Sequence, residues 1–276
     1  MQKINYSLIL TDFDGTLARK DGTVAPETLE AIEHYKKAGG RFAISSGRML
    51  SSILPIAKKM GLTGLVAAFQ GTVVADIESG ELVVDGEIEQ NEALEICRIL
   101  EEMGLHIHAY ETECFYSNAD DDLLAYYRKI VSESVIIVKD EPLFQFLARK
   151  AMRIRKLVVM VYPDQRDEVY KQLAERFGEK YYVTCSAPIL VEISNPNYTK
   201  ATSLEKIAQY YGVPMEKTIA VGDNLNDLPM IERAGLGIAV ANAEAELKAR
   251  ADVAFAFTND ENAIGEIIRE YGFEKN

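Results

Sequence analysis

Cysteine and histidine are scarce in this chain, three of each. Cys97, Cys114 and Cys185 stand far apart without paired-ligand spacing, which argues against a zinc site or disulfide framework and for buried or inert thiols. His34, His106 and His108 lack the spacing of a helical metal motif. Basic residues are also in deficit: 30 Lys and Arg face 43 Asp and Glu, a formal charge of −13, with no basic block and no basic-aromatic interleaving. No nucleic-acid partner is expected, and an anionic ligand has to be attracted by a bound metal and a few local cations against the overall field. No apolar run approaches the roughly 18 residues of a membrane span, and "MQKINYSLIL" lacks the basic, apolar, small-residue order of a secretory signal. The expectation is a cytoplasmic protein with no membrane partner, monomeric or weakly self-associating.

What is present is enough for real cores: 276 residues, 48% of them hydrophobic. The first 75 residues or so alternate strand and helix: "SLILT", a helical pattern from Pro26 closed by Gly39 and Gly40, "RFAIS", a helix closed by Gly61, then "LVAAF". The last third repeats that texture with "ILVEIS", a helix from about Thr199, "TIAVG", a helix from Asn226, "LGIAV", a helix over "EAELKARA" and a short "VAFAF". Such alternation predicts βαβ units, and the near-continuous apolar strands predict a parallel sheet covered on both faces. Between the two blocks, long amphipathic helices ("NEALEICRILEEMG", "DQRDEVYKQLAERFG") alternate with exposed-looking strands ("HIHAY", "CFYSN", "KLVVMVYP"). The fold expected is α/β, a Rossmann-like doubly wound parallel sheet formed by 1–83 and 188–276, with an α+β module inserted over 84–187.

In open α/β sheets ligands bind outside the carboxyl ends of the strands. Polar turns stand at those ends here: Asp12 to Thr16 after "LIL", Ser46-Gly47-Arg48 after "FAI", Asn195 to Lys200 after "EIS", and Gly222 to Asp227 after "IAV". Each alone reads as a helix cap or an ordinary turn. Four at strand ends of one α/β chain point to a single crevice. Asp12 and Asp14 side by side also need a cation or a proton between them.

These residues carry a resemblance. "DFDGT", a Ser with "GR" after the second strand, a lysine opening a late helix, and "GDNLND" before an apolar helix resemble the four motifs of the haloacid dehalogenase superfamily. The insert lies where the Cof-type sugar-phosphate phosphatases of subfamily IIB carry their α/β cap, so 84–187 is expected to be a specificity cap. Gln70-Gly71-Thr72 replaces the Asn-Gly-Ala common in such relatives, and Ala201 replaces a Gly after the lysine.

The resemblance implies a magnesium-dependent phosphatase acting on small phosphorylated metabolites, most plausibly sugar phosphates, through a phosphoaspartate. Asp12 is the expected nucleophile, and Asp14 the acid that protonates the leaving alkoxide and then the base that deprotonates water. Mg2+ is expected on Asp12, the Asp14 carbonyl and Asp223. Ser46 and the Gly47 N–H are assigned to phosphate oxygens, with Arg48 placed either on substrate or in a structural pair. Lys200 supplies positive charge to the transferring group, while Asn226 and Asp227 orient ligands, Asp227 also pairing with Lys200. His106, His108, Tyr110, Glu111 and Tyr116 lie on cap strands and are more simply cap-core or cap-surface residues. Two rival readings are a phosphomutase of the same superfamily and a non-catalytic sensor of phosphorylated metabolites.

Overall fold

The computed structural model describes residues 2–130 and 134–274, so residues 1 and 275–276 of the expected core lie outside it. In chain order the elements are β1 (Leu8–Thr11), α1 (Pro26–Lys37), β2 (Arg41–Ser45), α2 (Leu50–Lys59), β3 (Leu65–Ala68), β4 (Val73–Asp76) and β5 (Leu82–Asp85). Next come α3 (Gln90–Glu102), β6 (His106–Tyr110), β7 (Cys114–Ser117), α4 (Asp122–Ile130), β8 (Ser134–Ile137), α5 (Leu143–Lys150), β9 (Lys156–Met160), α6 (Arg166–Phe177), β10 (Tyr182–Ala187) and β11 (Leu190–Ser194). The chain ends through α7 (Lys200–Tyr211), β12 (Thr218–Gly222), α8 (Leu228–Arg233), β13 (Leu236–Ala239), α9 (Ala245–Arg250), β14 (Val253–Ala254) and α10 (Ala263–Tyr271). No described helix is long and apolar enough to cross a membrane.

Two compact units result, one of residues 1–47, 54–83 and 199–276, the other of 48–53 and 84–198. The first is built on an eight-stranded sheet in the order β14-β13-β12-β1-β2-β3-β4-β5. Neighbours from β14 to β3 run parallel, and β4 turns antiparallel on β3. Every residue of β1, β3 and β12 is buried, which is why these strands read as unbroken apolar runs rather than alternating ones. The helices follow from local chemistry. α1 has Pro26 at its start, Glu27 in the first turn and His34, Lys36 and Lys37 in the last, matching the helix dipole. α7 opens on a capping box between Thr199 and Thr202 and stops at Gly212, which takes the left-handed φ of 64°.

The second unit has a six-stranded sheet in the order β10-β11-β9-β6-β7-β8. Its pairs are antiparallel except β7 with β8. One face, with Leu157, Val159, Val191 and Ile193, forms an apolar core with α3, α5 and α6. Alternation along the strands sends His106, His108, Lys156 and Glu192 to the opposite face, where all four are nevertheless buried.

Two expectations fail here. "HIHAY" is not an exposed strand: all five residues of β6 are buried, as are those of β9. Its histidines are accommodated by pairing, His106 Nε2 lying 3.1 Å from His108 Nε2 and 3.0 Å from Ser117 Oγ. "ILVEIS" is not a strand of the first unit either. β11 lies between β10 and β9, so the inserted unit runs to Tyr198 rather than ending at 187. Glu192 marks the difference, since its buried carboxylate meets Lys156 Nζ at 2.9 Å, a diagonal neighbour across the β11–β9 ladder.

The revised boundary is testable. Segment 84–198 expressed alone should unfold cooperatively in urea, whereas 84–187, which loses the strand that pairs β10 and flanks β9, should not. Equal cooperativity of the two segments would reject the boundary at 198.

Candidate active site

From β1 the chain steps outward to β2, and from β12 it steps the other way to β13. The carboxyl ends of β1 and β12 therefore flank the switch point at which an open α/β sheet presents its crevice. Thr11 pairs with Val221, and the Asp12 N–H donates to the Val221 carbonyl at 2.9 Å. Asp12 and Asp223 thus leave adjacent strands at nearly the same height.

Small residues allow the carboxylates to converge. Gly15 has φ +80°, and a Cβ there would lie 2.5 Å from Asp223 Oδ2. A Cβ on Gly222 would run into the Asp227 side chain. Thr16, buried, donates its hydroxyl to Asp223 Oδ1 at 2.6 Å. Asn242 Nδ2 donates to the Gly15 carbonyl at 2.7 Å, holding the turn from the carboxyl-terminal side of the sheet.

Lys200 arrives by a different route from the one its neighbouring sequence suggests. It does not follow a core strand but is the first residue of α7, where the capping box sets its direction. Its side chain is fully buried and ion-paired with Asp12 and with Asp227 Oδ1, the latter at 2.5 Å. The second Asp227 oxygen accepts from the backbone N–H groups of Asp223 at 2.8 Å and Asn224 at 3.1 Å. Both Asp227 oxygens are engaged in holding the loop.

Carboxylate oxygens of Asp12, Asp223 and Asp227 all lie within 4.8 Å of one another. Burial raises the Asp12 pKa well above the usual carboxylate value; Lys200 opposes this, and the charges of Asp227, Asp223 and Asp14 reinforce it. Asp223 is pushed up to about 7, first by burial and then by Asp227, against the Thr16 hydrogen bond and Lys200. Burial pulls the Lys200 pKa down, but Asp12 and Asp227 outweigh it and the net shift is upward. The lysine is charged at neutral pH, and one cation among three carboxylates leaves an excess of negative charge. Hard oxygen donors with uncompensated charge are the donor set that suits a divalent cation such as Mg2+.

The remaining candidates divide. Ser46, buried at the end of β2, donates its backbone N–H to the Ala67 carbonyl at 3.0 Å, and Gly47 follows it in the first unit. Asn226, buried, donates Nδ2 to Gln70 Oε1 at 3.0 Å. Asp14 is exposed, and its charge acts on both Asp12 and Asp223. Arg48 groups with the second unit, its Nη1 3.5 Å from Ser52 Oγ. The hydrogen bonds of Thr16, Gln70 and Asn242 escape the sequence reading. Thr16 had a signal in its place in "DFDGT" and Gln70 one as a departure from Asn-Gly-Ala, whereas Asn242 had none.

A family model for haloacid dehalogenase-like hydrolases matches residues 9–268. The 5-amino-6-(5-phospho-D-ribitylamino)uracil phosphatase YitU of Bacillus subtilis is 28% identical over 279 residues, covering 96% of this chain and 97% of its own. Among solved structures, a HAD/COF-like hydrolase from Plasmodium vivax superposes with TM-score 0.84 at 26% identity over 96% of this chain and 95% of that one. The HAD subclass IIB sugar phosphatase BT4131 shares the fold, with TM-score 0.82 at 20% identity over 96% of this chain and 99% of its own. The protein belongs to the haloacid dehalogenase-like hydrolase family, of the Cof type, and is an enzyme of its phosphatase branch.

Proposed function

We propose that this enzyme is a magnesium-dependent phosphatase of small phosphorylated metabolites, sugar phosphates foremost, working through a phosphoaspartate on Asp12. The observation that carries the reading is the setting of Asp12: buried at the switch-point end of β1, ion-paired to Lys200 and crowded by Asp223 and Asp227. In its ionised form, which Lys200 favours against burial, the Asp12 carboxylate attacks phosphorus directly, and the same fixed lysine offsets the charge that builds as the phosphoryl group transfers.

In the first step an Asp12 oxygen bonds to phosphorus as the ester P–O bond breaks, and Asp14 gives its proton to the departing alkoxide. In the second, Asp14 takes a proton from water as that water attacks phosphorus, releasing inorganic phosphate and restoring Asp12. The exposure of Asp14 suits a group that exchanges protons with substrate and water. Ser46 and the Gly47 N–H are assigned to the phosphate oxygens, at a helix approach where anions are favoured. Asp12, Asp223 and the Asp14 carbonyl would hold Mg2+, which when bound offsets the negative charge of carboxylates and phosphate. Asp227, with both oxygens engaged, is assigned to scaffolding rather than to the metal. Choice of leaving group is assigned to the second unit. The ribityl phosphate and sugar phosphatase names of two relatives favour a phosphate on a polyhydroxylated chain.

A panel of phosphorylated sugars, nucleotides and cofactors assayed for inorganic phosphate should give turnover with Mg2+, none with a chelator, and little with Ca2+, whose looser coordination relaxes the in-line geometry. Full turnover in metal-free buffer, or a positional isomer as product in place of phosphate, would overturn the proposal.

The two loop aspartates should respond with opposite sign. In metal-free buffer Asp227→Asn breaks a buried ion pair and should cost about 3 to 5 kcal/mol in urea unfolding. Asp223→Asn relieves carboxylate crowding and should gain about 0.5 to 2 kcal/mol while abolishing activity. A stability loss in both variants would contradict the division of labour.

A further inference from the structure

The turn that leaves β3 lies outside every role assigned so far, yet its backbone is the most unusual of the first unit. Phe69, Gln70 and Gly71 take consecutive left-handed conformations, with φ of 50°, 60° and 98°. Two non-glycine residues in succession there are strained, and such strain persists only where the surroundings impose it. The surroundings are three segments of the candidate site. The Gln70 N–H donates to the Ser46 carbonyl at 3.0 Å. A Cβ on Gly47 would lie 2.6 Å from Gln70 Nε2, so the amide rests on the glycine assigned to phosphate. Gly71 packs so closely that a Cβ would enter the carbonyl of Thr199, the cap that aims Lys200. Finally, Gln70 Oε1 accepts from Asn226 Nδ2 at 3.0 Å. The other end of that amide, Asn226 Oδ1, is buried and makes no hydrogen bond among the described residues, so the bond to Gln70 fixes how Asn226 faces the crevice.

We propose that Gln70 is a positioning residue: its side-chain amide orients Asn226 and its strained backbone locks the Ser46-Gly47 loop in register with it. The turn works as a keystone, touching the Ser46-Gly47 loop, the start of α7 and the Asn226 loop at once. This inference rests on the phosphatase reading for its kinetic consequence, whereas the Gln70–Asn226 coupling stands apart from it. Partners that orient site residues from behind typically matter by 10- to 100-fold, and the same range is expected here.

Gln70→Met keeps length and bulk against Gly47 while removing the amide. With p-nitrophenyl phosphate and Mg2+, kcat should fall roughly 10- to 100-fold with KM within about threefold. The double variant Gln70→Met/Asn226→Ala should be no slower than Asn226→Ala alone, because the glutamine acts through the asparagine. A Gln70→Met enzyme as fast as wild type, or losses that multiply in the double variant, would overturn the proposal. A second readout needs no turnover: the Asn226 side-chain NH2 resonances, located by their loss in Asn226→Ala, should shift in Gln70→Met. Unchanged resonances would reject the coupling even if the wild type hydrolyses the ester, and shifted ones would uphold it even if it does not.

Discussion

The buried ammonium of Lys200, shared between Asp12 and Asp227, is the contact on which the rest of the first unit's architecture turns. Three carboxylates with oxygens inside 4.8 Å of one another cannot all stay charged in a poorly solvated place without compensation, and a single lysine compensates them in part. The remainder shows in the raised pKa values of Asp12 and Asp223. Desolvating such a group is a net cost to folding, of the kind tolerated where a site must bind something of opposite charge.

Much of the local sequence makes sense as support for that crowding. Gly15 and Gly222 are positions where a methyl group would strike Asp223 or Asp227. Thr16, the Asp223 and Asn224 amides and the Thr199 capping box each hold one member in place. Parallel pairing of β1 with β12 supplies the coarse alignment, and these contacts supply the fine one. The second unit has a buried polar cluster of its own on the sheet face opposite α3, α5 and α6, where His106 Nε2 meets His108 Nε2 and Lys156 is ion-paired with Glu192.

The parallel sheet and the acidic strand ends were legible because both depend on short-range patterns: unbroken apolar runs, helix punctuation, and polar residues placed where a strand stops. What escaped depends on partners far away in the chain. Leu190–Ser194 has the composition of a buried strand in either sheet, and only its pairing with β9 and β10 decides between them. The histidines of "HIHAY" suggested exposure because a polar side chain on one strand cannot announce the Ser117 and His partners that bury it. Likewise Gln70 showed only as a departure from a familiar tripeptide; its left-handed backbone and its bond to Asn226, 156 positions away, belong to tertiary structure.

In the proposed mechanism two aspartates one residue apart do different chemistry, and rapid-quench mass spectrometry of two variants with an activated aryl phosphate separates their roles. Asp14→Asn keeps the nucleophile but loses the proton carrier, so its second step should suffer more than its first, by about 10² to 10⁴, and a phosphorylated peptide containing Asp12 should accumulate. Asp12→Asn should form no phosphoenzyme at all. Phosphorylation that survives in Asp12→Asn would show that the nucleophile lies elsewhere.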